Sequence, residues 1–291
     1  MSTSPGDAEI RDVRYSRYEG ERRGGASAIV SLARWGALRS LGAGRGWKAK
    51  AVPIALTLLA AAPALIVLGV RALFADQSGI DLTDALPFYD YAAIIGVVIL
   101  LFAAITTPEL LCPDRRDGTL ALYFSTAVSR REYLLGRLAG AVGPLLLVTL
   151  VPLLFLYGGI LVFADHPVGY LEGHWADLPR IVATGVILAV YYAMVGLAVA
   201  SLTGRRAFAI GGYLLLLIIP TLVSGLLRDA LGSPDWTLLT QLSVLPFHFS
   251  SARFPGSGEP NPLWAWALVN LLVVGLAALV LLRRYRPGAD G

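Results

Sequence analysis

The stretch IVATGVILAVYYAMVGLAVASL, residues 181–202, runs for 22 residues without a charged side chain. A helix needs about 20 mostly apolar residues to cross a hydrocarbon core about 30 Å thick, because each residue adds about 1.5 Å. This stretch is therefore long enough to span a membrane as one helix. Five further runs meet the same criterion of length and apolar composition. The six predicted spans are residues 52–70, 91–111, 138–163, 181–202, 207–227 and 263–282.

The composition is typical of a chain that exposes much of its surface to lipid. Of its residues, 56% are hydrophobic and only 15% are charged, whereas a soluble domain carries about 25% charged residues. A large soluble helical protein would not contain six apolar runs of this length. The single cysteine, Cys112, excludes an internal disulfide and a cysteine-rich metal site. We therefore predict an all-α integral membrane protein with six transmembrane helices.

The positions of the basic residues orient the six spans. If the N-terminus is cytoplasmic, the inner segments hold 20 of the 24 Lys and Arg residues. Cytoplasmic loops of membrane proteins carry such an excess of Lys and Arg. Both termini are therefore expected in the cytoplasm, and the chain is expected in the cell (plasma) membrane. Because the basic residues cluster at the ends of the apolar runs, the net charge of +4 does not indicate nucleic acid as a partner.

The N-terminal part of the chain divides into a tail and a helix. The first 50 residues are polar and arginine-rich, so no cleavable signal peptide is predicted. Residues 1–25 are expected to form a mobile cytoplasmic tail. Residues 26–50 are interpreted as an amphipathic interfacial helix on the inner leaflet and a glycine-rich hinge, with packing on a partner protein as the alternative. Residues 51–291 are assigned to the six-span domain.

The segment between the second and third spans, residues 112–137, is the most informative loop. Four charged residues follow one another where the second span ends: Asp114, Arg115, Arg116 and Asp117. Asp117 is placed to N-cap a short helix that runs to about Ser125. Its apolar residues are Leu120, Leu122, Tyr123 and Phe124. This much apolar surface needs a covering partner in the cytosol. Ser129 and Glu132 predict a capping box at the start of the helix that leads into the third span.

Residues 109–137, ELLCPDRRDGTLALYFSTAVSRREYLLGR, resemble the signature loop of ABC transporter permeases of the type-2 (ABC-2-like) exporter class, whose loose pattern is E-x-x-x-G-T-L-x-x-L-L-x-x-P-x-S-R-x-x-x-x-x-K. The matching residues are Gly118, Thr119, Leu120, Ser129, Arg130 and Arg131, and Arg137 stands where the family often has Lys. The usual acid is represented by Asp114 or Asp117, and the usual proline by Ala127 or Val128. The stretch IRDVRYSRYEG, residues 10–20, also looks like the tail of actinobacterial permeases of this class.

The resemblance implies a permease subunit of an ATP-driven exporter rather than an enzyme. The short helix would be the coupling helix, which docks in a groove of a separate ATPase subunit. The implied partners are ABC ATPase subunits, a second permease subunit (identical or related) and membrane lipid. ATP and Mg²⁺ would bind to the ATPase, so no cofactor or metal is expected on this chain. The implied ATPase-coupling residues are Glu109, Asp114, Arg115, Arg116, Asp117, Gly118, Thr119, Leu120, Tyr123, Ser129, Arg130 and Arg131.

The remaining polar residues support only weaker hypotheses. Residues 228–262 are predicted to form an extracellular loop with one or two short helices. Two glycine pairs, Gly136 with Gly140 and Gly211 with Gly212, are expected to permit close helix packing. Acidic and histidine residues between positions 165 and 177 match no compact metal-binding spacing. Candidate pathway-lining residues inside the spans are Tyr157, Tyr191, Tyr192 and Thr221.

Two alternative functions differ from transport. A membrane enzyme would need converging catalytic groups, but Glu109 is the only acid well inside a span and no histidine lies in one. A membrane scaffold that recruits a soluble partner through residues 112–137, without transport, is the alternative that stays open.

Overall fold

The computed structural model describes residues 24–78, 87–125, 128–164, 166–232, 234–254 and 256–285. Within these ranges every regular element is a helix. The all-α prediction is therefore confirmed for this part of the chain. The predicted mobile tail, residues 1–25, lies almost wholly outside the described residues.

Thirteen α-helices and one 3-10 helix occur in the described ranges. They are α1 (Gly25–Ser40), α2 (Trp47–Ser78), α3 (Phe88–Ile94), α4 (Gly96–Thr106), α5 (Pro108–Arg116), α6 (Leu120–Ser125), α7 (Arg130–Thr149), α8 (Val151–Val162), α9 (Pro167–His174), α10 (Asp177–Ala200), α11 (Arg206–Ala230), the 3-10 helix (Asp235–Thr240), α12 (Leu245–Ser251) and α13 (Leu263–Arg284).

Six helical segments are long and apolar enough to cross a membrane, which confirms the six predicted spans. They are Trp47–Leu73, Gly96–Arg116, Arg130–Val162, Asp177–Ala200, Arg206–Ala230 and Leu263–Arg284. The second and third spans are each divided into shorter helices. Pro108 and Pro152 stand in the first turns of α5 and α8, the helix position that tolerates a residue without a backbone N–H.

The second and fourth spans form the centre of the bundle. In their most apolar stretches 72% of the residues are buried, against 17–28% in the first, fifth and sixth spans. Phe102, Tyr191 and Tyr192 are among the largest fully buried side chains. The outward faces of α2, α11 and α13 instead carry many exposed leucines and valines. Such faces suit contact with lipid or with a second membrane subunit.

Helix α1 packs closely along α7 of the same chain, and glycines make the close approach feasible. A β-carbon at Gly136 would lie 2.7 Å from the Cβ of Leu32. A β-carbon at Gly140 would lie 3.1 Å from the backbone oxygen of Ala33. The expectation of close packing is confirmed for this pair, whereas at Gly211 no atom lies within 4 Å of a β-carbon and at Gly212 the nearest lies 3.4 Å away. The exposed Trp35 and Val30 lie on the free face of α1.

Gly136→Ala is expected to destabilise the protein by about 1–3 kcal/mol, because the new methyl group would displace Leu32 and separate α1 from α7. Gly143→Ala on the same helix is the matched control, since no atom lies within 4 Å of a β-carbon there. Its higher helix propensity is expected to stabilise by up to about 1 kcal/mol. Thermal unfolding of the purified protein in detergent measures both. Equal shifts in midpoint would contradict the packing described for α1.

The loops fall into two groups at opposite ends of the bundle. Residues 41–46, 117–129 and 201–205 connect helices at one end, called the basic end, where α13 also finishes at Tyr285. The segments 163–176 and 231–262 connect helices at the opposite end. The basic end corresponds to the side on which the charge distribution predicts the cytoplasm.

Candidate functional site

Helix α6 lies at the basic end and follows a sharp reversal of the chain. Asp117 is the C-terminal cap residue of α5, with its backbone N–H bonded to the carbonyl oxygen of Pro113 at 2.9 Å. Gly118 adopts a positive φ of 66°, a conformation that favours glycine. The prediction that Asp117 N-caps the short helix is therefore wrong, because the helix begins only at Leu120. The hydrogen bond from Arg116 lowers the pKa of the Asp117 carboxyl below its usual value.

The two faces of α6 have different surroundings. On the inner face, the rings of Tyr123 and Phe124 contact the ring of Tyr133, with centroids 5.4 and 5.8 Å apart. On the outer face, Leu122 is 69% exposed. The only apolar side chain of α6 that is both large and exposed is thus Leu122, which was not among the predicted coupling residues. Helical spacing places Leu120, Tyr123 and Phe124 on one face of α6 and Leu122 on the opposite face. This spacing was the signal that could have identified Leu122 as a docking residue.

A buried ionic cluster anchors α6 to the second and third spans. The carboxylate of Asp114 on α5 pairs with the guanidinium of Arg137 on α7, and each side chain is only 5% exposed. The hydroxyl of Tyr133 donates to the same carboxylate at 2.7 Å. The hydroxyl of Tyr123 lies 3.3 Å from the Arg137 guanidinium, which also lies over the Tyr123 and Tyr133 rings. We call Asp114, Tyr123, Tyr133 and Arg137 the Asp114 cluster.

The Asp114 cluster extends to the end of the sixth span. The ring of Tyr285 lies 5.7 Å from that of Tyr133, and Arg130 donates to the Tyr285 carbonyl oxygen at 3.0 Å. Burial raises the pKa of the Tyr285 hydroxyl to about 12, so it stays protonated at neutral pH. Arg137 directly precedes the predicted third span, residues 138–163, and the structure buries it against two aromatic rings.

Glu109 forms a second ionic group at the basic end. The guanidinium of Arg45 contacts both carboxylate oxygens at 2.8 Å, and Arg206 pairs with the same carboxylate. The Glu109 side chain is only 5% exposed. The ion pairs connect the 41–46 loop, the second span and the fifth span. Glu109 thus contacts other parts of its own chain. Arg45 and Arg206 are functional candidates that were not predicted from the sequence. The signal was Glu109 itself, because an ionisable residue inside a span usually pairs with a residue of opposite charge.

The predicted coupling residues differ in their accessibility. Those exposed at the surface are Arg116, Asp117, Gly118, Ser129 and Arg131, those half-buried are Arg115, Thr119, Leu120, Tyr123 and Arg130, and those buried are Glu109 and Asp114. The capping box is confirmed. The Ser129 hydroxyl accepts a hydrogen bond from the backbone N–H of Glu132, and the Glu132 carboxylate accepts one from the backbone N–H of Ser129. It fixes the start of α7 next to α6.

Three of the four candidate pathway residues converge on residues 242–243. The hydroxyls of Tyr191 and Tyr192 donate to the carbonyl oxygens of Leu242 and Ser243. The Thr221 hydroxyl lies 2.8 Å from that of Ser243. These bonds hold the segment between the 3-10 helix and α12 against α10 and α11. Their role as pathway-lining residues stays a prediction.

The fourth candidate and the outer loops lie elsewhere. Tyr157 packs on the rings of Phe88 and Tyr170, with centroids 6.0 and 6.3 Å away, so it does not join the other three. The 3-10 helix and α12 correspond to the short helices expected within residues 228–262. Among the described residues, no group of three or more His, Cys, Asp or Glu side chains could hold a metal ion.

One known protein family matches most of this chain. The family described as "ABC-2 family transporter protein" matches residues 10–241, which include the first five spans and α6. No curated protein matches the chain. The family match covers well over half of the 291 residues. With its six membrane-length apolar helices, the chain is a multi-pass membrane protein that belongs to the ABC-2 transporter family, as a membrane permease component of an ABC transporter.

Proposed function

We propose that this chain forms the translocation path of an ATP-driven exporter as a dimer, and that it couples to separate ATPase subunits through residues 112–137. Family membership supports the permease role, since permeases of this family usually pair with ATPase subunits. In this proposal ATP and Mg²⁺ bind to the partner ATPase, and this chain performs no hydrolysis. The basic end faces the cytoplasm, where the ATPase is located.

The observation that carries the proposal is the exposed outer face of α6. Leu122 presents an exposed apolar side chain, and the charged Arg116 and Asp117, which precede α6 in the chain, are exposed as well. An exposed apolar residue with a polar rim is typical of a protein-binding surface. We call Arg116, Asp117, Ala121, Leu122 and Ser125 the α6 docking face.

The ionic groups beneath α6 supply a route by which a docked subunit could move the spans. The Asp114 cluster connects α6 with the second and third spans, and packing on Tyr285 extends it to the end of the sixth. The Glu109 ion pairs add the loop before the first span and the start of the fifth. A displacement of α6 would therefore reach several spans through direct contacts, as a transmission of force through packed side chains requires.

The proposed dimer uses the outward faces of the peripheral spans. Leu58 on α2 and Leu222 on α11 are both more than 60% exposed in the single chain. A second permease subunit, identical or related, would cover part of this surface and give a path of twelve spans. Symmetric pairing is the commonest arrangement of oligomeric proteins.

Affinity purification of the tagged full-length chain from native membranes in mild detergent tests the proposal. We expect an ABC-type ATPase to co-purify in about equal amount, with a turnover that depends on this chain. If soluble proteins other than ATPases are recovered while the permease subunits stay together, the scaffold alternative replaces the exporter.

A further inference from the structure

A cavity of about 520 Å³ lies in the half of the bundle remote from α6. It is bounded by α3 and α4 on one side, by α11 on another, and by α12 with its flanking segments. Gln241, Ser243 and Val244 line it, so it borders the segment that Tyr191, Tyr192 and Thr221 hold in place. A cavity of this volume is large enough for a drug-sized molecule.

The polar lining of this cavity is acidic. Asp90 and Glu259 supply two carboxylates, and no Lys or Arg occurs among its described lining residues. Glu259 accepts hydrogen bonds from Ser251 and from Nδ1 of His248, which lies 3.0 Å away. These bonds hold the Glu259 carboxylate in place, and its side chain is only 13% exposed. Asp90 has no ion-pair partner among the described residues, so its charge is available to a ligand.

The remaining lining is apolar and reaches the outside of the bundle. Val97 and Leu100 of α4 and Ile218 of α11 line the cavity. Val97 is 69% exposed and Ile218 39% exposed, so this apolar lining is accessible at the surface of the single chain. The absence of a side chain at Gly96 leaves room for the ring of Phe247, because a β-carbon there would lie 3.0 Å from it. The apolar body of a ligand bound here would therefore lie against lining that continues onto the outer surface of these helices.

We propose that this cavity binds amphiphilic cations, molecules with a cationic centre on an apolar body, and that these are the class of cargo. The carboxylates of Asp90 and Glu259 offset the loss of hydration of the cation. The aromatic side chains of Tyr89 and Phe247 also line the cavity, and aromatic rings attract cations. The same carboxylates repel an anion of equal shape. The assignment of the ligand as cargo rests on the proposed function, whereas the binding itself does not.

Binding is measured on the full chain alone, in nanodiscs of zwitterionic lipid, with empty nanodiscs subtracted. The probes are tetraphenylphosphonium and tetraphenylborate, which have the same shape and opposite charge. We expect saturable binding of the phosphonium only, and a loss of affinity of about tenfold or more in the Asp90→Asn, Glu259→Gln double variant. Asp229→Asn, an exposed carboxylate outside this cavity, is the matched control and is expected to bind as the parent does.

Two results would overturn the inference: equal binding of the borate, or full affinity in a double variant whose gel-filtration profile matches the parent.

The failure of the proposed function gives a different pattern. If phosphonium binds but no ATPase co-purifies, the cavity stands and the exporter does not. If the ATPase co-purifies and phosphonium does not bind, only the ligand class is wrong. No ATPase takes part in the binding measurement, so neither result depends on the other.

Discussion

Arg137→Met is expected to destabilise the protein by about 3–5 kcal/mol, the largest stability loss predicted for this chain. The substitution leaves the Asp114 carboxylate without its cation at a site where it is 5% exposed. Removal of one partner of a buried ion pair strands the other charge in surroundings that solvate it poorly. Thermal unfolding in detergent, followed by loss of the monodisperse gel-filtration peak, measures the effect.

The double variant Asp114→Leu, Arg137→Met separates the ion pair from the packing around it. Because it removes both charges, we expect it to recover a large part of the stability lost in Arg137→Met. Arg131→Met serves as a control for arginine on the same helix, since Arg131 is exposed and is expected to change stability by less than about 0.5 kcal/mol. A double variant at least as unstable as the single one would show that the stranded charge is not the cause.

Leu122→Asp is expected to reduce the amount of co-purified ATPase at least tenfold while leaving the permease folded. A buried apolar anchor at the centre of an interface contributes about 2 kcal/mol or more, and each 1.4 kcal/mol is a factor of about ten in affinity. Because Leu122 is 69% exposed in this chain, its replacement by aspartate removes few internal contacts. The ratio of ATPase to permease after purification is the measurement.

Leu202→Asp is the matched control for Leu122→Asp. Leu202 lies at the same end of the bundle, is 62% exposed and is not one of the residues of the α6 docking face. Full recovery of the ATPase with Leu202→Asp and its loss with Leu122→Asp would locate docking on α6. Tyr123→Asp is less informative, because Tyr123 packs against Arg137 and Tyr133, and its loss would disturb the Asp114 cluster itself. Unchanged ATPase recovery in folded Leu122→Asp protein would remove the α6 docking face from the proposal.

The sequence predicted the features that depend on local pattern. Six spans follow from the length of the apolar runs, and the capping box follows from Ser129 and Glu132 at a fixed spacing. The position of α6 was predicted to within three residues at its start. These features can be predicted from the geometry of a single helix and the thickness of a bilayer alone.

The features that the sequence could not predict depend on distant residues. Arg45 and Glu109 are 64 positions apart, and their pairing depends on how the first two spans pack. Arg137 pairs with Asp114, 23 positions earlier, and lies over the ring of Tyr123, 14 positions earlier on a separate helix. The convergence of Tyr191, Tyr192 and Thr221 on residues 242–243 likewise depends on the path of an irregular segment. No local pattern specifies these contacts.

The Glu109 ion pairs also have a consequence for the order of assembly during synthesis. Arg45 precedes Glu109 in the chain, so these two side chains can meet as soon as the second span has entered the membrane. Arg206 follows Glu109 by 97 residues, which a ribosome adds in about 5–20 s. The carboxylate therefore has one cation during insertion of the third and fourth spans and gains the second only when the fifth span arrives. Arrival of the fifth span thus adds a second cation to a carboxylate that the first two spans have already neutralised.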